Sequence, residues 1–170
     1  FQGKFQEALT GLKELTANPG SDATNDALSL QIFIQEGMKS SEPALKEFAK
    51  ADLLKRQAKL SESLTAFESI GQSYPKTDVM DETLIGIGDL LTRIGRFPEA
   101  VTAYERLLND FPESIERDRT MLKMGEVYQL GMRDSVKAIA TYEKLLEQFP
   151  SSIYVTEARK RIRELRGDNI

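Results

Sequence analysis

The sequence predicts an all-α protein of about nine helices, arranged as successive antiparallel pairs. Three observations carry this. Four segments, Gly3–Gly20, Ala58–Thr77, Gly95–Ser114 and Gly131–Ser151, repeat one pattern. Within each, a small residue and two large apolar ones recur at i, i+4 and i+7, which places them on one helix face. Glycine and proline are sparse and cluster between these stretches, where turns are needed.

The pattern is plainest in Gly95–Ser114, GRFPEAVTAYERLLNDFPES. A turn is followed by a small residue and an aliphatic one: Ala8-Leu9, Ser63-Leu64, Ala100-Val101 and Ala138-Ile139 in the four copies. Then come Leu12, Phe67, Tyr104 and Tyr142, and after them Leu15, Ile70, Leu107 and Leu145. All of these are expected in the core. Pro19, Pro75, Pro112 and Pro150 close the units.

Taken in order, the first helix occupies Gly3–Gly20, and the next must fill an excess of sequence. Ala8 to Ser63 is 55 residues, whereas Ser63 to Ala100 is 37 and Ala100 to Ala138 is 38. The surplus is one helix with its loop, Asp22–Gly37. Leu28, Leu30, Ile32 and Ile34 alternate as in a strand, but a lone strand has no ladder to join, so a helix buried on several sides is expected. An odd helix shifts the phase of the pairs, so a kink or break is expected around Gly37–Pro43. Helices then precede each later unit. Leu84, Ile87, Gly88 and Leu91 recur 37 residues on as Met121, Met124, Gly125 and Tyr128, with Ala51 and Leu54 in the same places earlier. Glycine in a helix interior costs roughly 1 kcal/mol against alanine, so Gly88 and Gly125 imply close helix crossings. The last helix, Ser152–Arg166, buries Val155, Ala158, Ile162 and Leu165 and shows Arg159, Arg163 and Arg166, as a terminal cap should. The chain thus divides into 1–40 (a partial repeat plus the extra helix), 41–151 (three repeats) and 152–170 (cap and tail).

Leu84-x-x-Ile87-Gly88-x-x-Leu91, followed by Gly95, Phe97, Ala100, Tyr104 and Pro112, resembles the tetratricopeptide repeat. The resemblance covers Pro43–Ser151 plus a second helix at the start. No unit has the family's tryptophan, and the units are longer than its usual 34 residues. It implies a right-handed superhelix whose concave surface is lined by the first helix of each pair. Units of this length with FPES and FPSS turns resemble the bacterial cell-envelope branch, outer-membrane assembly lipoproteins and Tol–Pal accessory proteins, which implies a periplasmic or outer-membrane-associated setting.

On that implied surface Phe48, Ile85 and Leu122 form one stripe, and Asp52, Asp89 and Glu126 the next, each 37 apart. Such rows could take a partner segment carrying apolar and basic residues. The alternative is local pairing: Asp52–Arg56 and Asp89–Arg93 are i, i+4 pairs, while Glu126 has Leu130 at that spacing. The family's carboxylate-clamp positions are apolar and acidic here, which argues against that form of recognition. The first unit begins at its turn (Gly3, Lys4, Phe5), leaving an apolar edge for a second copy or an upstream region to cover. The start at Phe1, without an initiator Met, is expected of a fragment or mature piece.

Composition narrows the chemistry. Net charge is −4, which gives no general attraction to nucleic acid, and the basic face of the last helix is favoured by the helix dipole alone. No apolar run approaches the ~20 residues needed to span a bilayer. There is no Cys or His, so Cys/His metal sites, thiolate nucleophiles and His-based triads are absent. Gly86 and Gly88 are not followed by the rest of a phosphate loop. The carboxylates fall on helical positions with cationic neighbours. The expectation is a non-enzymatic protein-binding scaffold with no cofactor, the alternative being a self-assembly module.

Overall fold

The computed structural model describes residues 4–17 and 22–168. Phe1, Gly3 and the expected Pro19-Gly20-Ser21 break lie outside them. The described residues form eight α-helices: α1 Phe5–Thr16, α2 Asp22–Arg56, α3 Leu60–Ser73, α4 Met80–Arg93, α5 Phe97–Asp110, α6 Arg117–Glu126, α7 Ser135–Gln148 and α8 Val155–Arg166. A π-helical turn, Val127–Gly131, continues α6. By packing, the chain divides into two compact units, Phe1–Thr83 and Leu84–Ile170.

In the first unit α2 is two arms joined by a kink, so the expected nine helices appear as eight with one broken. Ser41 is extended (φ −165°, ψ 96°). Its Oγ accepts a hydrogen bond from the Ala44 N–H at 3.2 Å, and Pro43 follows in the first turn. Ser41 therefore ends one arm and N-caps the next, where proline's missing N–H is harmless. Gly37, read from sequence as a boundary, lies inside the first arm instead. A Cβ there would stand 3.0 Å from Leu45 Cδ1 and 3.2 Å from Val79 Cγ2, so this glycine serves packing.

The surplus helix is helical, but it is not buried all round. Phe33 and Ile34 join the core with Phe5, Leu9 and Leu12, whereas Leu28 and Ile32 are exposed. Leu15 also departs from expectation at 59% exposed, since no described helix covers that side of α1. The second arm packs on α3. Ser63, at the small position, donates its hydroxyl to the Ala51 carbonyl at 2.7 Å in the dry interface.

In the second unit Tyr104, Leu107, Tyr142 and Leu145 are all buried, as the repeat pattern requires. A Cβ on Gly88 or Gly125 would intrude on the ring of Tyr104 or Tyr142, which establishes the close crossings. Phe111 and Phe149 each close a helix by donating N–H to Leu107 and Leu145. The proline after each keeps its predecessor extended and stops the helix.

Turns between paired helices locate the residue that separates 37 from 38. Left-handed residues recur at Ala58 (φ 59°), Gly95 (φ 80°) and Arg133 (φ 56°). Closing hydrogen bonds run from the N–H of Lys59 to the Leu54 carbonyl and from Arg96 to Leu91, but from Asp134 to Tyr128, one residue wider. The extra residue thus lies between Tyr128 and Asp134. It is absorbed by the π-turn, marked by the Met132 N–H donating to the Val127 carbonyl at 2.9 Å.

Candidate binding groove

The two rows expected to line a binding surface meet different fates. Phe48 is half-buried between Phe33 and Phe67, at ring-centroid distances of 4.7 and 5.3 Å. Ile85 is 2% exposed, a core side chain that offers the free protein no surface, and Leu122 is half-buried. Asp52 is buried and held by Lys55 Nζ at 2.9 Å and Arg56 Nε at 2.7 Å. Burial alone would raise its pKa, but hydrogen bonds and charge from Arg56 and Lys55 outweigh that and hold it below 3.8.

Asp89 and Glu126 come together within the second unit. They line one groove of about 480 Å³ with Thr92, Arg93, Phe97, Tyr104, Lys123, Val127, Leu130 and Gly131. Asp89 Oδ1 accepts from Tyr104 Oη at 2.8 Å and from Lys123 Nζ at 2.9 Å. The pair therefore forms with α6, two helices on, and not with Arg93 of its own helix. Burial, then the neighbouring Asp89 charge and hydrogen bond, pushes the Tyr104 phenol well above its ordinary value. Glu126, which has Leu130 and not a cation four residues on, receives Arg161 Nη2 from α8 at 2.7 Å. Arg161 also pairs with Glu157, one turn earlier in α8, at 2.9 Å.

The arrangement echoes itself along the chain. A buried tyrosine, a polar acceptor on the helix before it and a cation on the helix after it recur as Tyr142, Gln129 and Arg161. In the second copy the π-turn carries Gln129, not the Asp89 counterpart Glu126, to the phenol. In the first unit Phe67 replaces the tyrosine, and Asp52 is paired within its own helix.

Spacing alone does not single out Arg93, Phe97, Lys123, Leu130 or Arg161 as parts of this site. The 38-residue interval was the available signal for Leu130, but it gives a count and not a location. Leu130 stands 66% exposed on the groove. Among the described residues no cluster of His, Cys, Asp and Glu could hold a metal ion, and no helix is long and apolar enough to cross a membrane.

Residues 82–114 and 119–152 each match the tetratricopeptide repeat family model. These two segments are similar to tetratricopeptide repeats. Together they hold most of α4, all of α5 and α7, the π-turn and the α6 residues that line the groove. Residues 43–77, which show the same spacing, lie outside the match. A solved structure of a tetratricopeptide repeat protein from Parabacteroides merdae ATCC 43184 is similar, with 18% identity and a TM-score of 0.61 over 99% of this chain. This chain spans 62% of that structure's length, and at such identity the likeness shows the fold alone. No curated protein matches the sequence. The fold is therefore all-helical and of the tetratricopeptide kind. Such repeats generally mediate protein–protein interaction and are generally non-enzymatic.

Proposed function

We propose that this chain is a non-enzymatic scaffold that binds a segment of another protein in the groove of its second unit, without a cofactor. In this reading residues 41–151 form the repeat array, 152–170 its cap and 1–40 its distinct beginning. The observation that carries it is an exposed apolar side chain, Leu130, opposite charged and aromatic groups on a groove large enough for several side chains. Asp89 and Glu126 lie on that groove; Asp52 and Ile85, being buried, support the fold. Peptide display on the full chain tests the proposal. Selected sequences should converge on a motif and lose binding to Leu130→Arg. Failure to converge, or equal binding to the variant, contradicts it. The envelope setting suggested by the FPES and FPSS turns belongs to the same proposal, and recovery of the native protein from the cytoplasmic fraction would contradict it.

One observation favours a second reading, self-association through α1. Lys4, Phe5, Ala8, Leu12, Leu15 and Leu30 line an open groove of about 590 Å³. Leu15 is 59% exposed where its counterparts Ile70, Leu107 and Leu145 are 1%, 0% and 0%. Sedimentation should then give a mass that rises with concentration and falls to the monomer in Leu15→Glu. A monomer throughout contradicts this reading.

A further inference from the structure

We infer that the one-residue expansion at Val127–Gly131 makes the second-unit groove selective for a segment carrying a bulky apolar side chain followed by an acidic one; this rests on the groove reading above. The apolar part follows from the turn. Leu130 stands 37 residues after Arg93, so the same register position is a cation on one wall and an apolar group on the other. Gly131 lets the widened turn lie against Phe97: a Cβ there would fall 2.6 Å from Phe97 Cδ1. Exposed Leu130 and half-buried Phe97 form an apolar seat open to solvent, floored by the buried Val127. π-turns of this kind are frequent at functional sites.

The acidic part follows from counting committed charges. Asp89 is paired with Lys123 and hydrogen-bonded by Tyr104, and Glu126 is paired with Arg161, whose guanidinium it shares with Glu157. Among the described residues Arg93 forms no ion pair, and it lies exposed on the groove. A basic segment would have to displace Lys123 or Arg161 and would face Arg93. An acidic side chain meets Arg93 directly, with charge-assisted hydrogen bonds. This reverses the complement expected from the carboxylate row in the sequence, because the fold uses those carboxylates internally.

The test measures fluorescence anisotropy of short labelled peptides, with a central Leu-Glu, Leu-Lys, Leu-Ser or Ser-Glu, against the full chain. The Leu-Glu peptide should bind tightest, with roughly a tenfold margin over Leu-Lys. Arg93→Glu should reverse that order. Leu130→Ser should weaken every Leu peptide without reversing it. Both side chains are exposed, and unchanged thermal melts establish that the variants fold. Tightest binding of Leu-Lys to the wild type, an order that survives Arg93→Glu, or no binding by any peptide overturns the inference. If display-selected peptides still lose binding to Leu130→Arg in those cases, the groove reading stands and only its selectivity falls. If they do not, the groove reading falls as well.

Discussion

Two kinds of side chain reveal at residue scale how this fold uses polar groups. Asp52 has a carboxyl pKa depressed by Arg56 and Lys55, so its contribution is present above pH 3.8 and is lost as pH falls through its lower folded value. Asp52→Asn should lower stability by roughly 1 kcal/mol at neutral pH, a modest value because Arg56 is largely exposed. Denaturant midpoints of variant and wild type should converge as the solution is acidified below that value; a constant gap would contradict the assignment. Tyr104 and Tyr142 behave in the opposite sense. Burial first, then nearby carboxylate charge, raises both phenols from 10.0, with Arg161 opposing the rise at Tyr142. The stabilisation of the neutral phenols is complete below that ordinary value and is lost as pH rises through the folded values. Phenolate absorbance should therefore show at least two of the five tyrosines ionising only when helical circular dichroism is lost. All five titrating near the ordinary value with helices intact would refute the buried assignment.

Helix pairs explain what sequence could and could not reveal at the scale of the element. Gly88 and Gly125 were legible as close crossings because a glycine recurring inside an amphipathic helix needs a packing reason. Gly88→Ala gains roughly 1 kcal/mol of helix propensity but forces Tyr104 aside, at a cost of about 1–3 kcal/mol, so the melting temperature should not rise. A clear increase would show that the tyrosine yields freely. The kink near Pro43 was legible too, since an odd helix shifts the phase of the pairs, although its cap, Ser41, was not. Burial of Leu15, Leu28 and Ile32 was not legible, because periodicity names a face without saying what covers it. The groove was only half legible. Repeat spacing found Asp89 and Glu126, but their partners Lys123 and Arg161 come from two helices further on, and the inserted residue sits where two hydrogen-bonded turns must be compared. Deleting Leu130 restores the 37-residue interval, and the closing bond should revert to the narrower form of its neighbours. Helical signal should persist with a melting temperature near that of wild type, while peptide binding is lost. A chain that fails to fold would show that the π-turn is required by the repeat itself.

On the scale of the whole molecule, each repeat contributes a copy of the same parts, and the proposed binding function resides where the copies differ. The aromatic and proline positions are architectural. The single added residue and the differing fates of three equivalent carboxylates give the second unit its groove. Amide chemical-shift mapping of the full chain, titrated with a display-selected peptide, tests that claim most directly. Shifts should concentrate at Arg93, Phe97, Lys123 and Val127–Gly131, leaving α1 and the first arm of α2 unmoved. Saturable binding with shifts confined to other faces would contradict it.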